Sequence, residues 1–177
     1  AKNEIIILTD ANIIFSKNTI QSLIRHFRNS EIGLVDSNMV NVGIKKSGIS
    51  LQEKTYISSE VKFKHAESKL WGMLMGPFGG CFAIRKSLFI PIPENFMVDD
   101  FFVCMNILKN GNLAINDLDA VVYEDVSNQI SEEFRRKRRI SMGNFINLFH
   151  FKKLVVSFCG TGITPDRFRK RVWLGQE

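Results

Sequence analysis

Residues 5–9 read Ile-Ile-Ile-Leu-Thr and run into Asp10, and this segment constrains the fold more than any other. Successive β-branched side chains are stiff at χ1 and suit an extended chain. Because no polar residue alternates with the apolar ones, both faces must be covered, which predicts a central, buried parallel strand in a layered sheet. Open α/β sheets gather ligand groups at the carboxyl ends of their strands, so Asp10 would be delivered to a cleft. A turn-forming aspartate is the plainer alternative.

The rest of the chain continues in α/β style. Residues 18–29 set Ile20, Leu23, Ile24 and Phe27 at helical spacing, with Ser16 or Asn18 as N-cap. A second strand follows at 32–35, and the β-α-β order predicts an α/β layered fold. Residues 53–74 predict the longest helix, with Tyr56, Glu60, Phe63, Glu67, Leu70 and Leu74 along one face. Gly76-Pro77-Phe78-Gly79-Gly80 ends it, and 81–84 form a strand. Asp100 opens a short helix through Lys109 that closes at Gly111. Two short strands, 113–115 and 120–123, precede a final long helix over 131–149.

An apolar content of 45% in 177 residues is enough for one core without disulfide or metal staples. Cys81, Cys104 and Cys159 are odd in number, lack CxxC spacing and stand far from His26, His65 and His150. That argues against a disulfide framework or zinc site and suits a reducing cytosol. No apolar run reaches the roughly 18 to 20 residues of a membrane span. Charge is divided unevenly: residues 1–134 carry 13 Lys and Arg against 16 Asp and Glu, whereas 135–171 carry 11 against one. The basic quarter calls for an anionic surface or ligand. Within it, Lys152-Lys153 and the basic residues of 167–171 flank an apolar stretch at 154–158, a combination that suits an anionic membrane surface or a plain surface loop.

Four segments in order resemble the motifs of family 2 glycosyltransferases, including cellulose and hyaluronan synthase relatives. Leu8-Thr9-Asp10-Ala11-Asn12 resembles the aspartate-x-aspartate signature of the GT-A fold, with Asn12 in the second acidic position. Gly79-Gly80-Cys81-Phe82-Ala83-Ile84-Arg85-Lys86 is similar to the strand that approaches the acceptor. Asp99-Asp100, a helix and Gly111 resemble the motif whose second acid is the general base. Glu133-Phe134-Arg135-Arg136-Lys137-Arg138-Arg139-Ile140 with Gly143 resembles the Gln-x-x-Arg-Trp helix of processive members, Arg136 replacing the glutamine and Ile140 the tryptophan.

The resemblance implies a partial GT-A fold: a mixed sheet flanked by helices, with the nucleotide-binding strands that precede the first motif absent. Residues 1–150 would be the acceptor-side half of a catalytic domain, and 151–177 a basic and apolar extension near the cytoplasmic face of a membrane. The implied reaction moves a sugar, with inversion, from a nucleotide-diphosphate sugar to a hydroxyl of a carbohydrate or lipid-linked acceptor. Asp100, paired with Asp99, would be the base. Asp10 and Asn12 would hold Mg²⁺ or Mn²⁺ and the donor diphosphate, and Arg138 and Arg139 would counter leaving-group charge. Gly79 and Gly80 would border the acceptor, although a bare turn with positive φ explains them equally well. This chain alone would bind nucleotide sugar weakly and turn over none. An exposed sheet edge where strands are absent predicts a homodimer or a covered edge. The rival readings are a basic nucleic-acid-binding module, for which no finger, RRM or KH motif is present, and a non-catalytic interaction domain.

Overall fold

The computed structural model describes residues 2–42, 49–125 and 129–152. Within them the strands are β1 (Ile5–Thr9), β2 (Ile13–Phe15), β3 (Ile32–Val42), β4 (Cys81–Arg85) and β5 (Leu113–Asp125). The helices are α1 (Thr19–Arg25), α2 (Ile49–Trp71), α3 (Asp99–Lys109) and α4 (Ile130–His150). One mixed sheet runs in the order β1-β4-β3-β5-β2, and only the β3–β5 pair is parallel. The fold is therefore the mixed α/β arrangement that the sequence predicts.

Alternate side chains leave the sheet on opposite faces, and each face has its own core. Leu34, Phe82 and Ile84, joined by Ile6 and Leu8 of β1, pack with α3 through Phe102, Met105 and Ile107. Val35, Cys81 and Ala83, joined by Ile5 and Ile7, pack with α1 through Leu23 and with Phe27 just beyond it. This double cover is why β1 carries no polar alternation.

β1 is nevertheless an edge strand, antiparallel to β4, rather than central and parallel. An apolar run reports that two faces are covered and says nothing of how many neighbours the strand has in the sheet. Its side chains are accordingly half-buried. The outer edge of β1 has no strand partner among the described residues.

Three further expectations change. In the first helix, Leu23 and Phe27 are buried while Ile20 and Ile24 stay largely exposed, because one short helix offers the sheet a narrow stripe. On α2 the buried face is Ile57, Val61, Lys64 and Ser68, and Tyr56, Phe63 and Leu70 face outward. The two strands expected at 113–115 and 120–123 form one long strand. Its register against β3 passes from Asp36↔Asn116 to Asn38↔Val121, so the intervening residues bulge out. The bulge is fastened: Asp117 accepts hydrogen bonds from Arg25 at 2.9 Å and pairs with His26 at 2.8 Å, and Asp119 accepts from Arg25 at 2.8 Å. Residues 153–177, which include most of the expected C-terminal extension and Cys159, lie outside the described residues.

At Gly33 in β3, an added Cβ would sit 2.6 Å from Ile107 Cγ2, 2.8 Å from Leu88 Cδ1 and 2.9 Å from Asn112 Cβ. No single side chain can yield enough to make room. Gly33→Ala is expected to destabilise the fold by about 1–3 kcal/mol, the usual cost of overpacking. Urea denaturation checks this, and a midpoint equal to wild type would refute the close packing of α3 on β3.

Candidate active site

Strand pairing assembles the first part of the site. Because β1 runs antiparallel to β4 with Thr9 opposite Cys81, the end of one strand meets the start of the other. The Asp10 amide donates to the Gly80 carbonyl at 3.0 Å, and the Thr9 hydroxyl donates to the same oxygen at 3.1 Å. Gly79, at φ +81°, packs directly against the Asp100 carboxyl, where an added Cβ would collide with Oδ2 and lie 3.2 Å from Cγ. Positive φ and close approach both demand glycine there. Asp10, Gly80, Gly79 and Asp100 thus form one continuous chain of contacts.

The start of α3 sets the acids. Val98 supplies no side-chain cap. Asp99 Oδ1 accepts from the Asp100 amide at 3.0 Å and Asp100 Oδ1 accepts from the Phe101 amide at 2.6 Å. Helix α4 then crosses beneath. Asn147 donates to the Val98 carbonyl at 3.1 Å and Arg139 to the Met97 carbonyl at 3.1 Å, while Gly143 lets the helix close on the Val98 side chain.

Electrostatics ties these pieces together. Burial pushes the Asp100 carboxyl up to about 6, opposed by the Phe101 amide and by Lys64 and reinforced by the negative charges of Asp99 and Asp10. Asp10 is also raised, by burial first and by Asp99 next, with Arg136 and Arg139 pulling the other way. Of the basic run, Arg136 and Arg139 therefore serve the acids. Arg138 lies about 200° around the helix from Arg136 and is exposed. Asn12 turns its amide nitrogen to Glu124 at 3.2 Å, outside this group. Burial holds the Cys81 and Cys104 thiols at about 12, so neither is a nucleophile near neutral pH.

Two residues that the sequence did not single out belong here. Asp36, fully buried in β3, is pushed by burial up to about 7, with Lys64, the Phe78 amide and Asn116 acting to hold it down. Lys64, 6% exposed, places its ammonium 3.4 Å from Glu60 Oε1 and 3.7 Å from the centre of the Phe78 ring. No apolar pattern could reveal a lysine on the inward face of α2. A cavity of about 390 Å³ opens beside these groups, lined by α2, the glycine loop, the start of α3 and α4, and Lys64 and Asp100 both border it.

Among the described residues no three His, Cys, Asp or Glu converge into a metal cage. The fit to a divalent ion rests instead on the like-charge pressure of Asp99 on Asp10, which a cation would relieve. Mg²⁺ and similar ions commonly take one or two carboxylates and complete their shell with water and substrate phosphate.

Among solved structures, the mannosyltransferase PcManGT from Pyrobaculum calidifontis, in complex with GDP-Man and Mn²⁺, matches 97% of this chain with a TM-score of 0.63 at 18% identity. The chain spans 48% of that protein's length. The architecture is thus that of a GT-A-like glycosyltransferase. A model of glycosyl transferase family 21 matches residues 1–89, half of the chain, and the protein belongs to that family. The match contains Asp10, Gly79 and Gly80; Asp99, Asp100 and α4 lie beyond it. A search of curated proteins gives no match.

The raised carboxyls carry a pH signature. Asp100 and Asp36 bind protons more tightly folded than unfolded, so their support for the fold is full below about pH 3.8 and fades as pH rises through about 6 and about 7 respectively. Asp100→Asn should therefore gain stability relative to wild type as pH rises from 4 to 6 and no more above that. Unfolding free energies at pH 4, 6 and 8 test it, and a pH-independent difference between the two proteins would contradict the raised value.

Proposed function

We propose that this chain carries the acceptor-side, base-bearing part of an inverting glycosyltransferase that uses a nucleotide-diphosphate sugar. The observation that carries the reading is Asp100: a carboxyl tuned by burial to about 6, bordering a cavity and in contact through Gly79 and Gly80 with the strand end at Asp10. At pH 7 such a group is mostly ionised yet basic enough to take a proton.

In this mechanism an acceptor hydroxyl in the cavity gives its proton to the Asp100 carboxylate while its oxygen forms a bond to the anomeric carbon. The bond from that carbon to the diphosphate oxygen breaks, and the electron pair leaves with the nucleoside diphosphate. Attack from the face opposite the leaving group inverts the centre. Arg136 and Arg139, whose charges act on Asp10, join or replace Arg138 in countering charge that develops on the diphosphate. A divalent cation, Mg²⁺ or Mn²⁺, held by Asp10, would neutralise diphosphate charge. Gly79 keeps Asp100 in reach of the acceptor, since any side chain there would displace the carboxyl.

The open edge of β1 and the 48% coverage of the mannosyltransferase support a division of labour in which further strands bind the nucleotide. A second copy pairing at that edge is the other way to cover it. The basic 135–171 region supports a position at the cytoplasmic face of an anionic membrane.

Asparagine is nearly isosteric with aspartate and cannot accept the hydroxyl proton. In the full-length protein Asp100→Asn should keep donor binding and lower transfer at least about 100-fold. Assays with a panel of nucleotide sugars read this out. Normal transfer by Asp100→Asn together with loss in Asp99→Asn would move the base to Asp99.

Asp10→Ala should abolish transfer without rescue by added Mn²⁺, because the substitution removes the only acid at the end of β1. Wild-type-like rates in that variant would reduce Asp10 to a turn residue.

A further inference from the structure

Glu133 stands on α4 three residues before Arg136 and is 5% exposed. Its Oε1 pairs with Arg136 Nη1 at 3.3 Å. Its Oε2 is buried with no hydrogen-bond partner. A carboxylate oxygen removed from water and left unpaired is unfavourable, so a site built this way awaits a donor. Glu133 lines the same cavity as Asp100, so a turn of its side chain toward that cavity would bring the inaccessible Oε2 to a donor.

The cavity's charges indicate what kind of donor. Lys64, Arg136 and Lys137 are matched by Glu60, Asp100 and Glu133, so no net field recruits an anionic group. Ser141 and Asn144 add neutral donors and acceptors beside apolar walls at Ile57 and Ile140. A neutral ligand with several hydroxyls and an apolar flank matches that lining.

We propose that Glu133 is an acceptor-recognition residue: its Oε2 takes a hydrogen bond from one hydroxyl of a neutral polyol while a neighbouring hydroxyl of the same molecule reaches Asp100. The assignment rests on the acceptor reading given above and adds to it the residue that orients the acceptor. Arg136, paired with Glu133 and acting electrostatically on Asp10, couples acceptor recognition to the donor side.

Carboxyl-detected NMR of the chain, titrated with methyl α-glucopyranoside, methyl α-mannopyranoside and glycerol, tests this. A saturable shift of both the Asp100 and Glu133 carboxyl signals is expected, with affinity falling about tenfold or more in Glu133→Gln. A response to the glycosides alone identifies a sugar acceptor, and a response to glycerol alone a glycerol-type headgroup; either supports the role. Among singly deoxygenated methyl glycosides, one should bind wild type more weakly, and that penalty should vanish in Glu133→Gln. If Glu133→Gln fails to fold, the wild-type Glu133 signal and the deoxy series decide the question. Movement of the Asp100 signal with a still Glu133 signal, or unchanged affinity in Glu133→Gln, overturns the role of Glu133 and leaves the acceptor reading intact. No shift at either carboxyl with any of the three compounds overturns both.

Discussion

The antiparallel pairing of β1 with β4 is the constraint on which the site depends. Its register puts the last residue of one strand opposite the first of the other, so Asp10 and Gly80 are fixed to each other by a backbone hydrogen bond. Backbone pairing is insensitive to side-chain rearrangement, which makes the distance between these two positions a property of the sheet. Gly79 then transmits that placement to Asp100 by simple contact. Carboxyls from β1 and α3 are held together without any side-chain bond between them, and each stays available to a ligand.

Around that frame the protein tolerates an unusual amount of buried charge. Asp36, Lys64 and Glu133 are all nearly inaccessible, and water-free carboxylates and ammonium groups are stable only when matched. Lys64 provides the match for several acids at once: it pairs with Glu60 and lowers both Asp36 and Asp100. A residue shared in this way cannot be replaced without altering all of its partners. The polar interior next to the cavity is better read as machinery than as stability, since an apolar core of the same volume would hold the fold as well or better.

Where local chemistry decided the structure, the sequence was readable. The apolar run before Asp10, the glycine pair before β4, the acids at the start of α3 and the closing Gly111 all act through backbone rules that operate over a few residues. The elements they define match in kind and nearly in boundary. Decisions made by distant residues were not readable. Whether β1 is central depends on which strands lie beside it. The inward face of α2 was misplaced because Lys64 is drawn inside by the charge of Asp36 across the fold and pairs with Glu60 one turn earlier, and His65 meets the Asn116 carbonyl, while Phe63 stays outside. The same limit applies within the candidate site: Asp10, Asp99, Asp100, Gly79 and Gly80 come together, but the choice of Arg136 over Arg138 required knowing how far α4 is rotated, which Gly143 and Asn147 settle against Val98.

The parallel pairing of β3 with β5 has a bearing on how the molecule is made. The Asp36 and Asn116 side chains meet at 3.4 Å although 80 residues separate them, and everything from α2 to α3 lies in between. Bringing such distant segments together costs chain entropy before any contact rewards it, and topologies rich in non-local pairing reach the native state slowly. The hairpin-like and helical pieces can form early, but the two halves of the Asp36 environment join only when β5 docks. During synthesis the ribosome must release β5 before this step is available, so Asp36 stays exposed to water until that strand has emerged and docked.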